Sequence, residues 1–415
     1  MKVLIQRRNL FLLWLGQLVS LSGDWFLTIA LPFYVYRLTG SVLQTGLTFM
    51  LELLPRIFLG SVAGVFVDRW DRRRTMIAAD LIRAAAVALL ILVRTSSLVW
   101  VIYLVVFLQA IVTQFFTPAL LTLVPSLLDN NEEEFVAANS ALSLNEAVTR
   151  LIGPPLGGVL LGIIGLTGTV LADSATYLFS ALMLALITLP SAVPIVQKST
   201  RSFGQAFSAV WHDWLAGLRL VVQVQTLRGI FLTMGILMLG QGIFNVLLVI
   251  FITTYMHEGT TVYSWLITAQ GIGSLIGAVF MSSMSKRLRI NYLLAQSLVV
   301  TGVAMALVIS RPALLIMIVL IVLVGFFFVG FVVIVQTLLQ TSVEESYRGR
   351  VIGSFEATFS LAMLVGMLLA STTGALFGTI LLLYASAALT ILAGLVALFM
   401  LRRVEMKKGA VVQTT

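Results

Sequence analysis

The sequence has no cysteine and only two histidines among its 415 residues. The missing thiols exclude disulfide bonds and thiolate catalysis, and two histidines are too few for a histidine-rich metal centre. Charged side chains are also scarce, because they make up 10% of the residues, whereas a soluble globular domain carries about 25%. We therefore expect neither a bound metal ion nor a cofactor, and the composition excludes a soluble fold. No phosphate-binding loop or nucleophile elbow is present either, so we do not expect an enzyme.

Apolar residues occupy most of the chain. They account for 60% of it, and the mean hydropathy is +1.06. A membrane-spanning helix needs about 20 mainly apolar residues. Runs of this length lie at roughly 10–36, 43–67, 75–95, 98–124, 138–163, 167–189, 228–256, 263–284, 290–309, 313–338, 351–374 and 376–401. The sequence predicts an all-α integral membrane protein with twelve transmembrane helices.

The basic residues predict cytoplasmic termini. Of the 26 Lys and Arg residues, 20 lie in the termini or in loops on one side of this arrangement, and Arg37, Arg94 and Arg311 lie on the other. Lys and Arg are concentrated on the cytoplasmic side of membrane proteins, so topology explains the net charge of +9 and no nucleic-acid partner is needed. The apolar stretch after Arg8 is too long for a signal peptide and is predicted to remain as the first span.

A linker at residues 193–227 is predicted to separate an N-terminal six-helix bundle, residues 1–192, from a C-terminal bundle with a short basic tail, residues 228–415. Apolar residues in the linker recur every three or four positions, at Phe203, Phe207, Val210, Trp214, Leu218 and Val221. This spacing predicts an amphipathic helix on the cytoplasmic membrane surface, and we favour a tether over a regulatory target helix. The halves also share a glycine pair, Gly60 and Gly64 in the first and Gly273 and Gly277 in the second.

A charged turn follows the second span, in the pattern G-x-x-x-D-R-x-x-R-R formed by Gly64, Asp68, Arg69, Arg72 and Arg73. This pattern resembles the loop 2–3 signature of the major facilitator superfamily. The resemblance implies two pseudo-symmetric six-helix bundles with the substrate bound between them. It also implies a cytoplasmic latch to the eleventh helix, formed by Gly64, Asp68, Arg69, Arg72, Arg73, Asp80 and Glu356.

A second motif lies in the fifth span, at Gly153, Pro154, Gly157 and Gly158. It resembles the core of the motif found in exporters and antiporters of the superfamily, although close helix packing alone would also explain it. Shorter matches, among them Leu21–Asp24, Asp80–Ala84 and Tyr347–Val351, resemble the bacterial macrolide-efflux and enterobactin-exporter group. We favour export over import on this evidence.

Ionisable residues within spans are costly and are usually functional. Asp24 and Glu52 both lie about 21–22 Å from the cytoplasmic ends of their helices, at similar depth. We predict that Asp24, and after it Glu52, exchanges protons, because a carboxyl group removed from water holds its proton more strongly. Local pairing is the alternative for the Glu residues that have an Arg four positions later, Glu52 with Arg56 and Glu146 with Arg150. Asp173 is assigned to helix packing.

Other polar and aromatic residues within spans are candidates for the substrate cavity. They are Arg56, Gln109, Phe115, Phe116, Glu146, Arg150, Gln241, Asn245, Phe327 and Gln336. The second half has Glu356 as its one charged residue well inside a span, so we expect proton chemistry in the first half.

These features predict a secondary transporter in the bacterial inner membrane that exports small amphiphilic compounds by alternating access, with proton antiport. Its partners would be the substrate, protons and the lipid bilayer, and we expect a monomer. Lipid or nutrient transport by symport or facilitated diffusion is an alternative. A non-transporting membrane sensor or scaffold is a third possibility, but it would require neither buried acids nor a repeated two-half plan.

Overall fold

A computed structural model describes residues 6–67, 70–128, 132–188, 203–284, 290–342, 345–401, 404–407 and 410–413. The chain forms two compact units. The first comprises Met1–Gly40 with Leu47–Phe207, and the second comprises Ser41–Gly46 with Ser208–Thr415. The predicted boundary between residues 192 and 193 lies outside the described residues, so it stays a prediction.

Long apolar helices make up the first unit. They are α1 (Arg8–Thr39), α2 (Val42–Val67, which belongs to this unit from Leu47 onward), α3 (Arg72–Ala88), α4 (Val99–Ser126) and α5 (Glu132–Ala185). A 3₁₀ turn at Leu89–Leu92 continues α3, and a second one at Ser96–Leu98 precedes α4. Together α3 and its turn provide 21 apolar-rich residues, which at about 1.5 Å per residue extend for roughly 30 Å, the thickness of the hydrocarbon core.

The α5 segment contains two membrane crossings rather than one. Gly165 interrupts it with φ 64° and ψ −174°, a backbone conformation that is essentially restricted to glycine. Contacts with α1 show that the chain reverses there. The first arm runs parallel to α1, because Asn145 donates to the Trp14 carbonyl and Gly157 lies against Phe26.

The second arm runs antiparallel to α1. Gly23 lies against Asp173, Gly16 lies against Ser180, and Asn9 near the start of α1 donates to the Thr188 carbonyl. The predicted spans at 138–163 and 167–189 therefore correspond to the two arms of α5, and Gly165 lies in the predicted gap between them.

The amphipathic helix α6 (Phe203–Gln223) belongs to the second unit from Ser208 onward. The next helix is α7 (Gln225–Ile250), and a π-helical turn extends it over Phe251–Tyr255. Five further helices of membrane-spanning length follow. These are α8 (Thr260–Met284), α9 (Ile290–Ile309), α10 (Leu314–Ser342), α11 (Glu345–Phe377) and α12 (Thr379–Met400). The tail, for which no strand was predicted, forms an antiparallel pair of β1 (Val404–Lys407) and β2 (Ala410–Gln413).

Eleven described helical segments are long and apolar enough to cross a membrane. Since α5 contributes two crossings, the twelve-span, all-α prediction for the membrane region is confirmed. Large apolar side chains on these helices remain exposed, such as Ile163 (77%), Leu315 (74%) and Leu376 (80%). Exposed apolar side chains of this kind are expected on surfaces that face lipid.

The linker helix α6 is docked on α11 of its own unit. The Trp214 indole N–H donates to Thr358 Oγ1 at 3.3 Å, and Ser354 Oγ donates to the Trp214 carbonyl at 3.0 Å. Val221 enters the apolar core of the unit, and Leu218 packs against that core. Trp211 and Arg219 of α6 are exposed.

The paired glycines have different surroundings in the two units. A Cβ added at Gly273 or Gly277 of α8 would overlap backbone atoms of α10, so these glycines allow the two helices to pack closely. In the first unit, a Cβ at Gly60 would lie 3.4 Å from Gln114 Oε1, and one at Gly64 would meet no described atom within 4 Å. The glycine pairs are therefore alike in sequence, but it is the pair in the second unit that brings two helices close together.

Candidate transport cavity

The first unit contains an open cavity of about 290 Å³ among α1, α2, α4 and the second arm of α5. Polar groups from all four segments line one part of it: Asp24, Thr28, Thr48, Glu52, Arg56, Gln109, Thr113, Gln114 and Tyr177. The remainder is apolar: Leu27, Leu31, Pro32, Phe49, Val106 and Ala110. A small compound with both a polar and an apolar part matches this lining.

Asp24 projects from α1 into this cavity and accepts a hydrogen bond from the hydroxyl of Tyr177 on α5. Gln109 of α4 in turn donates from Nε2 to the Tyr177 oxygen at 3.1 Å. A tyrosine hydroxyl can donate one hydrogen bond and can also accept. The hydroxyl of Tyr177 accepts from Gln109, so its own proton remains available for Asp24. Three helices thus fix the position of one carboxyl group.

The α2 contribution comes from residues four positions apart, which lie on one face of a helix. Thr48, Glu52 and Arg56 follow this spacing, and all three line the cavity. Glu52 and Arg56 are exposed, whereas Thr48 is buried, and its Oγ1 has no hydrogen-bond partner among the described residues. The cavity therefore contains two carboxyl groups and one guanidinium.

An ion pair lies behind the Tyr177 wall of the cavity. Arg83 of α3 donates from Nη2 to Asp80 Oδ1 at 2.7 Å, and the two residues are only 4% and 0% exposed. The Arg83 guanidinium lies over the rings of Phe116, at 4.4 Å, and Tyr177, at 4.8 Å. Asp80 was predicted to belong to the cytoplasmic latch, but the structure pairs it with Arg83 inside the unit, because both side chains project from one face of α3 three residues apart.

A family model for transmembrane secretion effectors, within the major facilitator superfamily, matches residues 5–413. The chain belongs to this family. Macrolide efflux protein A of Streptococcus pyogenes is 26% identical over 370 residues, which cover 87% of this chain and 88% of that protein. The multidrug efflux pump Tap of Mycolicibacterium fortuitum is 27% identical over 412 residues, which cover 97% and 98%.

The solved structure of the nucleoside transporter NupG superposes with a TM-score of 0.77 at 12% identity, covering 94% of this chain and 99% of that one. At this identity the likeness shows the fold alone. This member of the secretion effector family is a transporter and a multi-pass protein of the bacterial plasma membrane.

The exporter-type motif of this family member lies where α5 meets α1. Gly153, Pro154, Gly157 and Gly158 are all buried. A Cβ added at Gly157 would lie 3.0 Å from Phe26 Cα and 3.1 Å from the Trp25 carbonyl oxygen, and one at Gly153 would press on the Trp25 ring. The motif therefore packs α5 against the residues that directly follow Asp24.

Several residues predicted for the cavity lie elsewhere in the first unit. Phe116 is buried beneath Arg83, and Phe115 stacks on Trp70 with ring centroids 5.8 Å apart. Glu146 and Arg150 are exposed on the first arm of α5 and do not line the described cavity. Phe116 does not line the described cavity, because its ring covers a buried guanidinium, and its part in substrate binding stays a prediction.

The candidates of the second unit lie on α7 and α10. Gln241 donates to Asn245 Oδ1 at 3.1 Å, one turn further along α7. Phe327 packs against the apolar core and meets the Phe326 ring edge to face, with centroids 5.0 Å apart. Gln336 is exposed on α10. Their part in substrate binding stays a prediction.

The latch residues of the loop after α2 are only partly visible. Asp68 and Arg69 lie outside the described residues. Arg72 Nη1 donates to the Thr122 carbonyl at 3.0 Å, and Arg73 donates to the carbonyls of Leu184, from Nε at 2.8 Å, and of Ala185. These two arginines therefore contact the carboxyl-terminal ends of α4 and α5 rather than the carboxylates expected from the sequence. Glu356 is exposed on α11, and its role in a latch stays a prediction.

The sequence analysis missed Tyr177, Thr48 and the inward orientation of Arg83. A signal for Tyr177 was present, because Asp173, Tyr177 and Ser180 recur at spacings of four and three and so mark a polar face on the second arm of α5. Thr48 likewise lies one turn before Glu52. Both residues are uncharged, so a search for ionisable groups in spans passed over them.

Proposed function

We propose that this transporter exports small amphiphilic compounds by alternating access and that it exchanges them for protons at Asp24. The observation that carries the proposal is the cavity itself, in which Asp24 and Glu52 lie beside an apolar wall. A protonatable carboxyl group in a substrate cavity allows proton and substrate to compete for one site, which couples their movements in opposite directions.

Asp24 is the first candidate for the exchanging group because its surroundings serve both charge states. When it is ionised, the Tyr177 hydroxyl donates to it. When it is protonated, the apolar neighbours Leu27 and Leu31, one and two turns further along α1, suit a neutral acid. Glu52 is the second candidate, and Arg56 one turn away offers it a cation.

The substrate is proposed to be small and amphiphilic because the lining has that character. A cavity of about 290 Å³ is close to the lower end of the range for small-molecule sites, roughly 300–1,000 Å³. The relatives are named for macrolide and multidrug efflux, which supports export of small molecules.

The test uses purified protein in proteoliposomes that contain a pH-sensitive dye, with a macrolide and a lipophilic cationic dye as probes. We expect each transported probe to drive proton movement in the opposite direction, and we expect Asp24→Asn to abolish that movement because an amide cannot exchange the proton. Glu258→Gln is the matched control, since Glu258 is an exposed acid in the turn after α7, and it should behave like the wild type.

Other outcomes would contradict the proposal in distinct ways. Proton movement in the same direction as the probe would indicate symport. Probe transport that continues unchanged in Asp24→Asn would remove Asp24 from the mechanism. An absence of transport with both probes and with lipid would favour a membrane sensor or scaffold.

A further inference from the structure

Arg83 is a buried cation that faces away from the solvent and whose position the proposed transport mechanism does not yet explain. It lies on α3, which does not line the cavity, and its side chain points toward α4 and the second arm of α5. Three contacts hold it: the Asp80 carboxylate on one side and the rings of Phe116 and Tyr177 on its faces.

The contact with Tyr177 connects Arg83 to the cavity. A guanidinium over an aromatic face is attracted by the electron-rich ring, and the attraction is stronger away from water. Tyr177 has two ends in this arrangement, because its ring lies against Arg83 and its hydroxyl donates to Asp24. A change in the position of Arg83 would therefore move the hydrogen bond that Asp24 receives.

Stability alone does not account for the Arg83–Asp80 pair. A buried ion pair gains stability only when the remaining hydrogen-bonding atoms of both partners are also satisfied. Arg83 Nε is buried and has no hydrogen-bond partner among the described residues, whereas Asp80 also interacts with the Ser180 hydroxyl. A pair placed for stability alone would satisfy Arg83 Nε, whereas a pair placed to present a cation to Tyr177 need not.

We propose that Arg83 is a positioning residue for proton exchange at Asp24. Anchored by Asp80, it fixes the Tyr177 ring so that the hydroxyl donates to the ionised Asp24 carboxylate, while Gln109 occupies the acceptor side of that hydroxyl. The consequence for transport rests on the proposed function, whereas the hydrogen-bond geometry does not. The charged and titratable groups around Asp24 are Glu52 and Arg56 on α2, which line the same cavity, Arg83 and Asp80 on α3, and Tyr177 and Asp173 on α5.

The first test measures the pH dependence of probe transport in proteoliposomes. Arg83→Gln is combined with Asp80→Asn, so that no uncompensated charge is left buried. We expect the pH at which transport is half-maximal to rise by about one unit, because a carboxylate that loses a hydrogen-bond donor and a nearby cation keeps its proton to higher pH. Arg83→Lys keeps a cation that can lie on the ring and should restore most of the wild-type profile.

Tyr177→Phe separates positioning from a direct charge effect. It keeps the ring but removes the hydroxyl, so it should raise the half-maximal pH by itself. If Arg83 acts through Tyr177, adding the Arg83→Gln/Asp80→Asn change to Tyr177→Phe should cause less than about half the shift that it causes in the wild type. Fully additive shifts would overturn the proposal and indicate direct electrostatic action on Asp24. Arg94→Gln, an exposed residue after α3, is the control and should cause no shift.

A second measurement tests the same hydrogen bond without transport. The ultraviolet resonance Raman spectrum of the purified protein, minus that of Tyr177→Phe, isolates the Tyr177 signal and reports whether its hydroxyl donates. We expect the donor signature in the wild type and in Arg83→Lys, and its loss in Arg83→Gln/Asp80→Asn. A signature that is unchanged in the last variant would refute the positioning role even if proton coupling at Asp24 is demonstrated. Loss of the signature without any proton coupling would uphold the geometry and refute the proposed function alone.

Discussion

The approach of α5 to α1 yields the sharpest quantitative prediction, because the first arm of α5 contains its own control. Gly157 is pressed against the α1 backbone, where an added Cβ would lie 3.0 Å from Phe26 Cα. Gly162, five residues further along the same helix, is exposed, and an added Cβ would meet no described atom within 4 Å. The two substitutions Gly157→Ala and Gly162→Ala are therefore chemically identical and differ in their contact with α1.

The expected magnitudes follow from two opposing effects. Alanine is favoured over glycine within a helix by about 1 kcal/mol, which should stabilise Gly162→Ala. The same gain applies at Gly157, but a methyl group forced against backbone that cannot rotate away costs about 1–3 kcal/mol. We expect Gly157→Ala to be about 1–3 kcal/mol less stable than Gly162→Ala. For a unit of this size, that difference corresponds to a melting temperature lower by about 2–12 °C.

The assay is thermal unfolding of the purified variants in one detergent, followed by probe transport in proteoliposomes. Because Gly157 contacts the residues next to Asp24, we expect transport to fall in Gly157→Ala and to remain at the wild-type level in Gly162→Ala. Equal melting temperatures for the two variants would refute the argument that the exporter-type motif exists to bring α5 close to α1.

Three further predictions concern other contacts. Asp80→Asn leaves the Arg83 guanidinium buried without its carboxylate and should lower the free energy of unfolding by about 3–5 kcal/mol. Chemical denaturation of the Asp80→Asn/Arg83→Gln double variant should show part of that loss restored. A single variant as stable as the wild type would contradict this. Gly165→Ala forces a side chain into the φ 64° conformation and should cost about 1–3 kcal/mol in the same assay despite the open space around it; unchanged stability would show that the reversal tolerates other residues. Thr358→Val removes the acceptor of the Trp214 indole N–H and should lower the free energy of unfolding by about 1 kcal/mol. If this hydrogen bond stabilises the docking of α6, a double-mutant cycle with Trp214→Phe should show a coupling energy above about 0.3 kcal/mol.

Hydropathy and the distribution of arginine were sufficient to predict the fold class. Both signals are local, since each span must be apolar over its own length and most of the loops assigned to the cytoplasm contain their own basic residues. Even the reversal at Gly165 was located within the predicted gap, because one glycine between two apolar runs is a local feature. The strand pair in the tail was missed, since four-residue segments are too short for a periodic pattern.

The site was predictable where helical depth and periodicity determine position. Asp24 and Glu52 were placed at equal depth from residue counts, and the structure brings them to one cavity together with Arg56 and Gln109. Their roles in proton exchange stay predictions. The pairing of Asp80 with Arg83 follows from their spacing of three residues on α3, which is a local pattern. The stacking of Arg83 on two rings depends instead on how α3, α4 and α5 are rotated about their axes. No local pattern encodes that rotation, because it results from the packing of whole helices.

The two carbonyl contacts of Arg73 imply that its side chain has two separate roles, one during membrane insertion and one in the folded protein. During membrane insertion only the positive charge counts, and lysine would keep the loop in the cytoplasm equally well. In the finished protein the forked guanidinium reaches two successive carbonyls where α5 ends, and the single ammonium of lysine cannot reproduce that fork. A lysine at this position would thus give a chain with the correct orientation in the bilayer but without these contacts at the end of α5. One residue therefore contributes separately to the orientation of the chain and to the packing of its helices.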